Sequence, residues 1–333
     1  MFSYRHGFHA GNHADVLKHL CMIATVRHLM RKPAPIHLID THAGAGLYRL
    51  DGDFAKTSGE ALDGVLRLWQ AVNANPSGPD QTTRKQAYSG EESTSTASKS
   101  IAPALAEYLA AVASFNPGDR WRVYPGSPFL LYSLMNEPDR AAVRDRLKLF
   151  ELHPTDASAL QGNIAQLEAG RQISVARQDG FQGLKALLPP PEMGGSRRAF
   201  VLIDPSYEIK SDYARVAEAT HAALQRFATG VLMVWYPIIA RAEAHDLPRR
   251  LKTLAQQAGR PWLHATLAVS TDARRALVPA QIGERTAGPS LTASGVFLVN
   301  PPHTLKPALS DALPTVLAAL SRGPNSGFTV EGG

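Results

Sequence analysis

The chain has little cysteine and no long apolar run. Cys21 is the single cysteine of its 333 residues, so no disulfide can form within the chain, which is typical of proteins from reducing compartments. No stretch approaches the roughly 18 consecutive apolar residues of a membrane-spanning helix. The opening "MFSYRHGFHAGNHADVLKH" contains four histidines and no uninterrupted apolar core, unlike a secretory signal. We therefore expect a cytoplasmic protein.

The apolar content and the net charge of the chain indicate what kind of protein it is. Apolar residues make up 44% of the chain, which is enough to bury a substantial core. Lys and Arg number 35 against 29 acidic residues, a formal net charge of +6. This modest excess favours a polyanionic partner such as nucleic acid.

A complete dinucleotide-binding fingerprint is also missing. In "IHLIDTHAGAG" a short apolar strand over 36–39 breaks into a turn containing Gly44 and Gly46, where the absent side chains let a ligand approach the backbone. The third glycine of the fingerprint is replaced by Arg49. This departure disfavours a nicotinamide site that binds pyrophosphate.

Alternating strand and helix patterns predict an α/β fold. Apolar spacing over 15–30 predicts an amphipathic helix before the first strand. Further apolar runs predict strands separated by helical segments: "LKLFELH", "ISVARQD", "AFVLIDP", "GVLMVWYP", "WLHATLAV" and "GVFLVN". We expect a Rossmann-like, mostly parallel sheet of about seven strands with helices on both faces. The link between the last two strands is poor in helix signals and allows an antiparallel edge.

The same patterns divide the chain into regions. Residues 1–50 would hold the N-terminal motif, the first helix and the first βα unit, and 121–320 the rest of the main domain. Between them, 51–120 reads as an inserted helical subdomain with a disordered, Ser- and Thr-rich loop at 75–100. Residues 321–333 are expected to form a flexible tail.

Acids stand where several predicted strands end: Asp40, Glu151, Asp179 and Asp204. In doubly wound sheets ligands bind beyond the carboxyl ends of the strands, so these side chains are candidates for one site. A carboxylate such as Glu151 suits two vicinal ribose hydroxyls, and Asp179 suits the exocyclic amine of adenine. Each acid alone is equally compatible with a helix cap or a loop.

The stretch "VLIDPSYEIK" carries the most specific chemistry. An exocyclic amine of adenine or cytosine is a poor nucleophile, so an enzyme that alkylates it must hold its N–H groups with acceptors. Asp204 offers one acceptor and the Pro205 carbonyl another, while the Tyr207 ring can stack on an extruded base. The alternative is an acidic turn after a core strand, with Tyr207 packed as a lid.

These residues, taken together, resemble a known family. The motifs that carry the resemblance occur in order across nearly the whole chain: "SYRHGFHAGNHADVLKH", "DTHAGAG", "YPGSP", "ELHP", "DGF", "LIDPSYE", "RFATG", "WYP" and "TASG". They are similar to the RlmJ family of 23S rRNA adenine-N6 methyltransferases. The resemblance implies a Rossmann-like fold with an inserted helical subdomain, S-adenosylmethionine as cofactor and 23S rRNA as partner. We expect a monomer that needs neither a metal nor a membrane.

The resemblance also implies residue roles. Asp204 would be the catalytic acceptor, acting with Pro205 and Tyr207. The cofactor contacts would come from His19, His42, Gly44, Ser127, Glu151, Asp179, Gly180 and Asp204. Substrate or lid contacts would come from Tyr4, His6, Lys18 and Tyr207.

Two features depart from the family pattern. Ser206 replaces the second proline of D-P-P-Y, which keeps the acid, the first proline and the tyrosine but frees φ at one position. The loop at 75–100 and the stretch 277–290 are extra, and either would alter docking of RNA.

Other functions stay open on sequence alone. DNA adenine or another amine is an alternative methyl acceptor. His9 and His13 are four residues apart, as metal ligands on one helix face would be, but no cysteine and no third ligand accompany them. Ser127 lacks the partners of a hydrolase nucleophile. A non-catalytic RNA-binding protein would use paired arginines such as Arg249 and Arg250.

Overall fold

The structure is a computed structural model that describes residues 6–52, 59–74, 101–118, 120–270, 291–323 and 325–333. The predicted disordered loop at 75–100 and the extra stretch at 277–290 lie outside these residues.

The fold is built on a mixed eight-stranded sheet with the order β10-β8-β9-β7-β6-β1-β4-β5. The strands β7, β6, β1, β4 and β5 are parallel, and β9, β8 and β10 continue the sheet as antiparallel neighbours. The strand bounds in this sheet are β1 His37–Asp40, β4 Arg146–Phe150, β5 Ile173–Ala176, β6 Ala199–Ile203, β7 Val231–Pro237, β8 Trp262–Ala268, β9 Ala293–Val299 and β10 Gly327–Gly332. A separate antiparallel pair joins β2 Leu47–Arg49 to β3 Val123–Pro125. The predicted α/β class with an antiparallel edge is confirmed.

Nine α-helices occur in the described part of the chain. They are α1 His13–Met30, α2 Val65–Asn73, α3 Pro103–Ala113, α4 Ser127–Met135, α5 Pro154–Ala165, α6 Gly180–Leu187, α7 Ser211–Arg226, α8 Ala242–Gln257 and α9 Leu305–Leu320. Helices α1, α4, α5 and α9 contribute to one hydrophobic cluster, and α6, α7 and α8 to another. The sheet is therefore covered by helices on both faces.

The central strands are apolar throughout because both of their faces are buried. In β6, Phe200 and Leu202 belong to the cluster on the α1 side, whereas Val201 and Ile203 belong to the opposite cluster. Successive side chains of a strand point to opposite faces, so such a strand reads as a continuous apolar run. The run ends at Asp204, which is where the polar edge of the sheet begins.

Helix α1 brings the N-terminal motif onto the sheet. Asn12 caps it, its side chain accepting hydrogen bonds from the backbone N–H of Ala14 and Asp15 at 2.9 and 3.0 Å. Most of the helix is buried, including the polar residues Lys18 and His19. Burying a polar group is costly unless it is hydrogen-bonded, so the partners of these side chains matter for their role.

The C-terminal residues are not the flexible tail that the sequence predicted. Gly327–Gly332 forms the edge strand β10, antiparallel to β8, so the sheet has eight strands rather than seven. Phe328 and Val330 pack on the main core, and the Thr266 and Thr329 hydroxyls lie 2.7 Å apart across the pair. The segment is short and flanked by glycine, so its alternation is too brief to distinguish a strand from a loop.

The helices α2 and α3, in the region predicted as an insertion, share the core of the main sheet. Val65 and Leu68 of α2 and Leu105 and Tyr108 of α3 belong to the same cluster as the apolar residues of α1. Between these helices and α4 lies β3, whose pairing with β2 the sequence did not predict. No helix among the described residues is long and apolar enough to cross a membrane.

Candidate active site

The carboxyl ends of the parallel strands bring the predicted acids to one edge of the sheet. Asp40 is the last residue of β1, Glu151 directly follows β4 and Asp204 directly follows β6. Asp179 comes three residues after the end of β5 and caps α6. Because these four strands are parallel neighbours, the side chains lie along a single edge, as the sequence predicted.

Asp204 is nearly buried and has one donor. The Lys18 ammonium donates to its Oδ2 at 2.7 Å, and within the described residues no other group donates to this carboxylate. The neighbouring Pro205 carbonyl likewise accepts no hydrogen bond from a described residue. Burial raises the pKa of Asp204, although Lys18 acts against this shift. Two adjacent acceptors therefore remain for a ligand.

Lys18 connects Asp204 to the N-terminal turn. Its Nζ also lies 2.9 Å from Oδ1 of Asp15, whose Oδ2 lies 3.0 Å from His6 Nε2. Burial opposes the charge on Lys18, but Asp15 and Asp204 hold the pKa of this ammonium well above its usual value. The predicted substrate residues His6 and Lys18 are thus joined to Asp204 through one network. Tyr4 lies outside the described residues.

Asp40 supports the first turn of the site from the adjacent strand. Its Oδ2 accepts from Ser127 Oγ at 2.6 Å, and its Oδ1 from the His42 backbone N–H at 3.1 Å. Burial raises the pKa of Asp40 to about 6, and the nearby Asp204 carboxylate adds to the effect. The sequence indicated Asp40 as a strand-end acid, and the structure shows that it orients two of the predicted cofactor residues.

His19 has one satisfied and one unsatisfied ring nitrogen. Its Nδ1 lies 2.8 Å from the Tyr124 hydroxyl, which is 3.2 Å from the Tyr108 hydroxyl. Burial lowers the pKa of His19 to about 3, so the ring is neutral at physiological pH. Its buried Nε2 has no partner among the described residues. A buried polar atom without a partner is costly unless a ligand satisfies it.

Glu151 connects the turns that follow strands β1 and β4. Its Oε2 accepts from the Gly44 backbone N–H at 2.8 Å and its Oε1 from the His153 N–H at 2.7 Å. Gly44 has φ +59°, a conformation that favours glycine. Nearby, Nδ1 of His42 lies 2.8 Å from the Thr41 hydroxyl, and burial lowers the pKa of His42 to about 4.

Asp179 is more fully occupied than the other acids. Its Oδ1 accepts from the backbone N–H groups of Phe181 and Gln182 at 2.9 and 3.2 Å, and Arg215 donates to its Oδ2. Burial opposes the charge, but the bond with Arg215 lowers the pKa of Asp179. Gly180 packs so closely that a Cβ there would lie 1.9 Å from the Thr41 carbonyl oxygen. Both residues therefore have structural roles whatever they bind.

The Tyr207 side chain is packed in the protein interior and is not exposed at the surface of the site. Its residue is 2% exposed, and its ring lies 4.6 Å from that of Tyr213 between centroids. Its hydroxyl donates to the Trp235 carbonyl at 2.7 Å, and its φ is +54°. This arrangement matches the packed lid that the sequence left open. Stacking on a base would require the ring or its cover to move.

Sequence reasoning missed Asp15 and Trp235. Asp15 and Lys18 are three residues apart in α1, a spacing that brings side chains together, and an acid inside an apolar helix was the available signal. Trp235 follows Val234, which pairs with Ile203 at the end of β6, and the Lys18 ammonium lies 5.8 Å from the centroid of its ring. A tryptophan in an apolar strand gives no such signal.

The histidines of the N-terminal motif do not form a cluster. His9 precedes α1 and bonds to Glu60, whereas His13 is the first residue of the helix and is buried. The two therefore do not share a helix face. In the described ranges, no group of three or more His, Cys, Asp or Glu side chains is arranged to hold a metal ion.

The mostly parallel sheet, covered by helices on both faces and with its acids at the carboxyl ends of the strands, defines a Rossmann-like α/β protein. A family model described as "Ribosomal RNA large subunit methyltransferase D, RlmJ" matches residues 33–82 and 94–331. The chain belongs to this RlmJ family.

Individual relatives agree with that assignment. Ribosomal RNA large subunit methyltransferase J of Escherichia coli is 35% identical over 94% of this chain and 92% of its own length. The protein of the same name from Haemophilus influenzae is 34% identical over 99% of this chain and 98% of its own. A crystal structure of a Legionella pneumophila protein has 26% identity and a TM-score of 0.72, covering 98% of both chains.

Proposed function

We propose that this protein methylates the exocyclic N6 amine of an adenine in 23S ribosomal RNA, with S-adenosylmethionine as the methyl donor. The observation that carries the proposal is the pair of adjacent acceptors, Asp204 Oδ1 and the Pro205 carbonyl, neither of which receives a hydrogen bond from a described residue. An amine with two N–H groups matches two such acceptors.

The acceptors suit the chemistry that an adenine amine requires. Its nitrogen lone pair is delocalised into the ring, and hydrogen bonds to both N–H groups favour the tetrahedral geometry in which that lone pair is available. The ionised form of Asp204 is the stronger acceptor, and Lys18 supports that form by donating to Oδ2. The methylated nitrogen is acidic and loses its proton late, so no strong base is needed.

The residues of the edge fit the proposed cofactor. S-adenosylmethionine supplies a methyl group on a sulfonium, and a carboxylate at its amino-acid end. Nε2 of His19, which has no partner among the described residues, offers a buried polar contact. At the end of β1, Asp40 holds the Ser127 hydroxyl and the His42 backbone. Glu151 would keep lone pairs for ribose hydroxyls, since from the described part of the chain each of its oxygens accepts one backbone N–H.

Asp179 and Gly180 are proposed to border the adenine end of the cofactor. Asp179 would accept from that ring while keeping its bonds to the start of α6, so it is expected to contribute less than His19 or Glu151. His42, beside Gly44, would contact the cofactor from the first turn. Tyr4, His6, Lys18 and Tyr207 are proposed on the substrate side.

The target RNA is proposed from the relatives and the charge of the chain. The curated relatives are named as ribosomal RNA large subunit methyltransferases. The formal charge of +6 favours a polyanionic substrate. A ribosomal substrate and a single cysteine both favour action in the cytoplasm.

The test combines cofactor binding with product mapping. Purified protein is titrated with S-adenosylmethionine by calorimetry, then incubated with the labelled cofactor and 23S rRNA lacking N6-methyladenine. We expect measurable heat and a single modified adenine. Transfer to DNA alone would support the alternative acceptor, whereas RNA binding without cofactor binding would support a non-catalytic protein. Either result would overturn the proposal.

A further inference from the structure

Lys18 lies between two carboxylates, and only one of them belongs to the predicted site. Its Nζ is 2.9 Å from Asp15 Oδ1 and 2.7 Å from Asp204 Oδ2. Asp15 also accepts from the Gly11 backbone N–H at 2.8 Å and lies 3.0 Å from His6 Nε2. Asp15 therefore contacts both the N-terminal turn and Lys18, and holds the two together.

Because Asp15 and Lys18 are both buried, each needs the other as its charge partner. Asp15 is 2% exposed and Lys18 is 5% exposed, so neither charge is stabilised by bulk water. Burial would raise the pKa of Asp15, but His6 and Lys18 hold it well below its usual value. The Asp15–Lys18 pair therefore stays charged at neutral pH, and moving either group would leave the other charge buried without its partner.

The orientation of Asp204 depends on this pair. Lys18 is its one hydrogen-bond donor within the described residues, and that bond fixes Oδ2. The Asp204 carboxylate can rotate whenever Lys18 moves. Its orientation is therefore fixed only if Lys18 is itself held in place. Lys18 has a long flexible stem, so its position is set by its second anchor, Asp15.

We propose that Asp15 is a positioning residue: its carboxylate holds the Lys18 ammonium, which in turn fixes Asp204 with Oδ1 left for the target amine. This inference rests on the proposed function. Asp15 is not needed to cap α1, because the Asn12 side chain already accepts the N–H groups of Ala14 and Asp15. The Asp15 carboxylate accepts the Gly11 N–H locally through Oδ2, and its other oxygen, Oδ1, lies 2.9 Å from Lys18 Nζ, a contact that a local role does not require.

The first test is Asp15→Asn, which keeps shape and removes charge. We expect kcat on RNA to fall roughly 10- to 100-fold, because a displacement of about 1 Å in a catalytic group has effects of that size. Affinity for S-adenosylmethionine, measured by calorimetry, should change by no more than about threefold, because Asp15 is not a cofactor contact.

Asp145→Asn is the matched control. Asp145 is also a fully buried acid paired with a cation, Arg140, but it precedes β4 at the opposite edge of the sheet. This variant is expected to lose stability while its folded fraction keeps the wild-type kcat. An equal loss of kcat in both variants would mean that any buried acid gives the effect, and would overturn the inference.

A double-variant cycle shows whether Asp15 acts through Lys18. Lys18→Met removes the ammonium and keeps most of the side-chain volume. In that background Asp15→Asn should cause little further loss of kcat, because the group it acts through is gone. If the losses of kcat in the two single variants were fully additive in the double variant, Asp15 would not act through Lys18, and the inference would be contradicted.

The pH profile supplies a readout that a structural role would not change. The charged or titratable groups around Asp204 are Lys18 and Asp15 from α1, His6 from the N-terminal turn, Asp40 from β1 and Tyr207 from its own loop. The like charge of Asp15 raises the pKa of Asp204. Lys18 has the larger influence and lowers that pKa, so in Asp15→Asn the release of Lys18 should move the acid limb of kcat/KM to higher pH. A limb moved to lower pH would mean that only the Asp15 charge was lost while Lys18 stayed in place, and would contradict the inference. An unchanged limb argues for structure alone.

Asp15→Glu keeps the charge and is expected to recover part of the kcat lost in Asp15→Asn. If neither variant folds, Asp15 is a folding residue and the inference is overturned. If the wild type transfers no methyl group to RNA, the proposed function fails first. If the wild type is active and Asp15→Asn matches it, only this inference fails.

Discussion

Two buried acid–cation groups, at opposite edges of the same sheet, differ in how completely they are satisfied. At the amino edge, Arg140 donates to both oxygens of Asp145 at 2.7 Å and to the carbonyls of Met30, Lys32 and Ala34. Asp145 also accepts the Ile36 backbone N–H at 2.9 Å. This network fixes the connection between α1 and β1.

The carboxyl edge is different. Asp204 has a single donor, the Pro205 carbonyl has none among the described residues, and the buried His19 Nε2 is unpartnered. Each edge carries a buried carboxylate paired with a cation, so residue types alone do not tell a structural pair from a binding site. A binding site is recognised by polar groups that the protein buries without completing their hydrogen bonds.

The largest expected effect is on turnover. In Asp204→Asn one carboxylate acceptor becomes an amide, and its charge is lost opposite a developing positive nitrogen. We expect methyl transfer to fall roughly 1,000-fold, as when one preorganised group is removed from an active site. The fold and most of the S-adenosylmethionine affinity should remain, as circular dichroism and calorimetry would show. Near-normal turnover would refute the assigned role.

Asp145→Asn should act on stability instead. It leaves the Arg140 charge buried without its partner, and breaking such a pair costs about 3–5 kcal/mol. Urea unfolding measures this loss, and turnover per folded molecule provides the contrast with Asp204. A small stability loss together with lost turnover would erase the distinction between the two edges.

Asp40→Asn should alter how stability depends on pH. The pKa of Asp40 in the folded state is about 6, above its unfolded value, so folding favours its protonated form. The wild type should therefore gain roughly 2 kcal/mol from this residue as pH falls from about 7 to about 4. The variant should lack that gain. Identical pH dependence in unfolding experiments would contradict the raised pKa.

The smallest effect is expected for Tyr207→Phe. This change removes the hydroxyl that donates to the Trp235 carbonyl and keeps the ring, so stability should fall by about 1 kcal/mol. Turnover should stay within a few-fold of the wild type. Tyr207→Leu removes the ring as well. If the ring stacks on the target base, Tyr207→Leu should raise KM for RNA while Tyr207→Phe does not.

The comparison also explains which parts of the molecule sequence could predict. The continuous apolar run ending at Asp204 predicted a buried parallel strand, and such strands must end at a shared edge. The positions of Asp40, Glu151 and Asp204 followed from that rule. β10 did not follow, because a short edge strand is stabilised by its partner rather than by its own pattern.

The sequence by itself determined the α/β class, because hydrophobic periodicity is a local property, and its ordered motifs carried the resemblance to the family. The alternation of strands and helices implies parallel strands, which places the acids at one edge. Only the tertiary structure decided which polar groups are satisfied. Asp15, Lys18 and Asp204 meet across 186 residues of chain, and the Arg140–Asp145 pair lies at the far edge of the same strands. Whether a buried charge stabilises the fold or serves a ligand depends on partners that packing brings from distant parts of the chain.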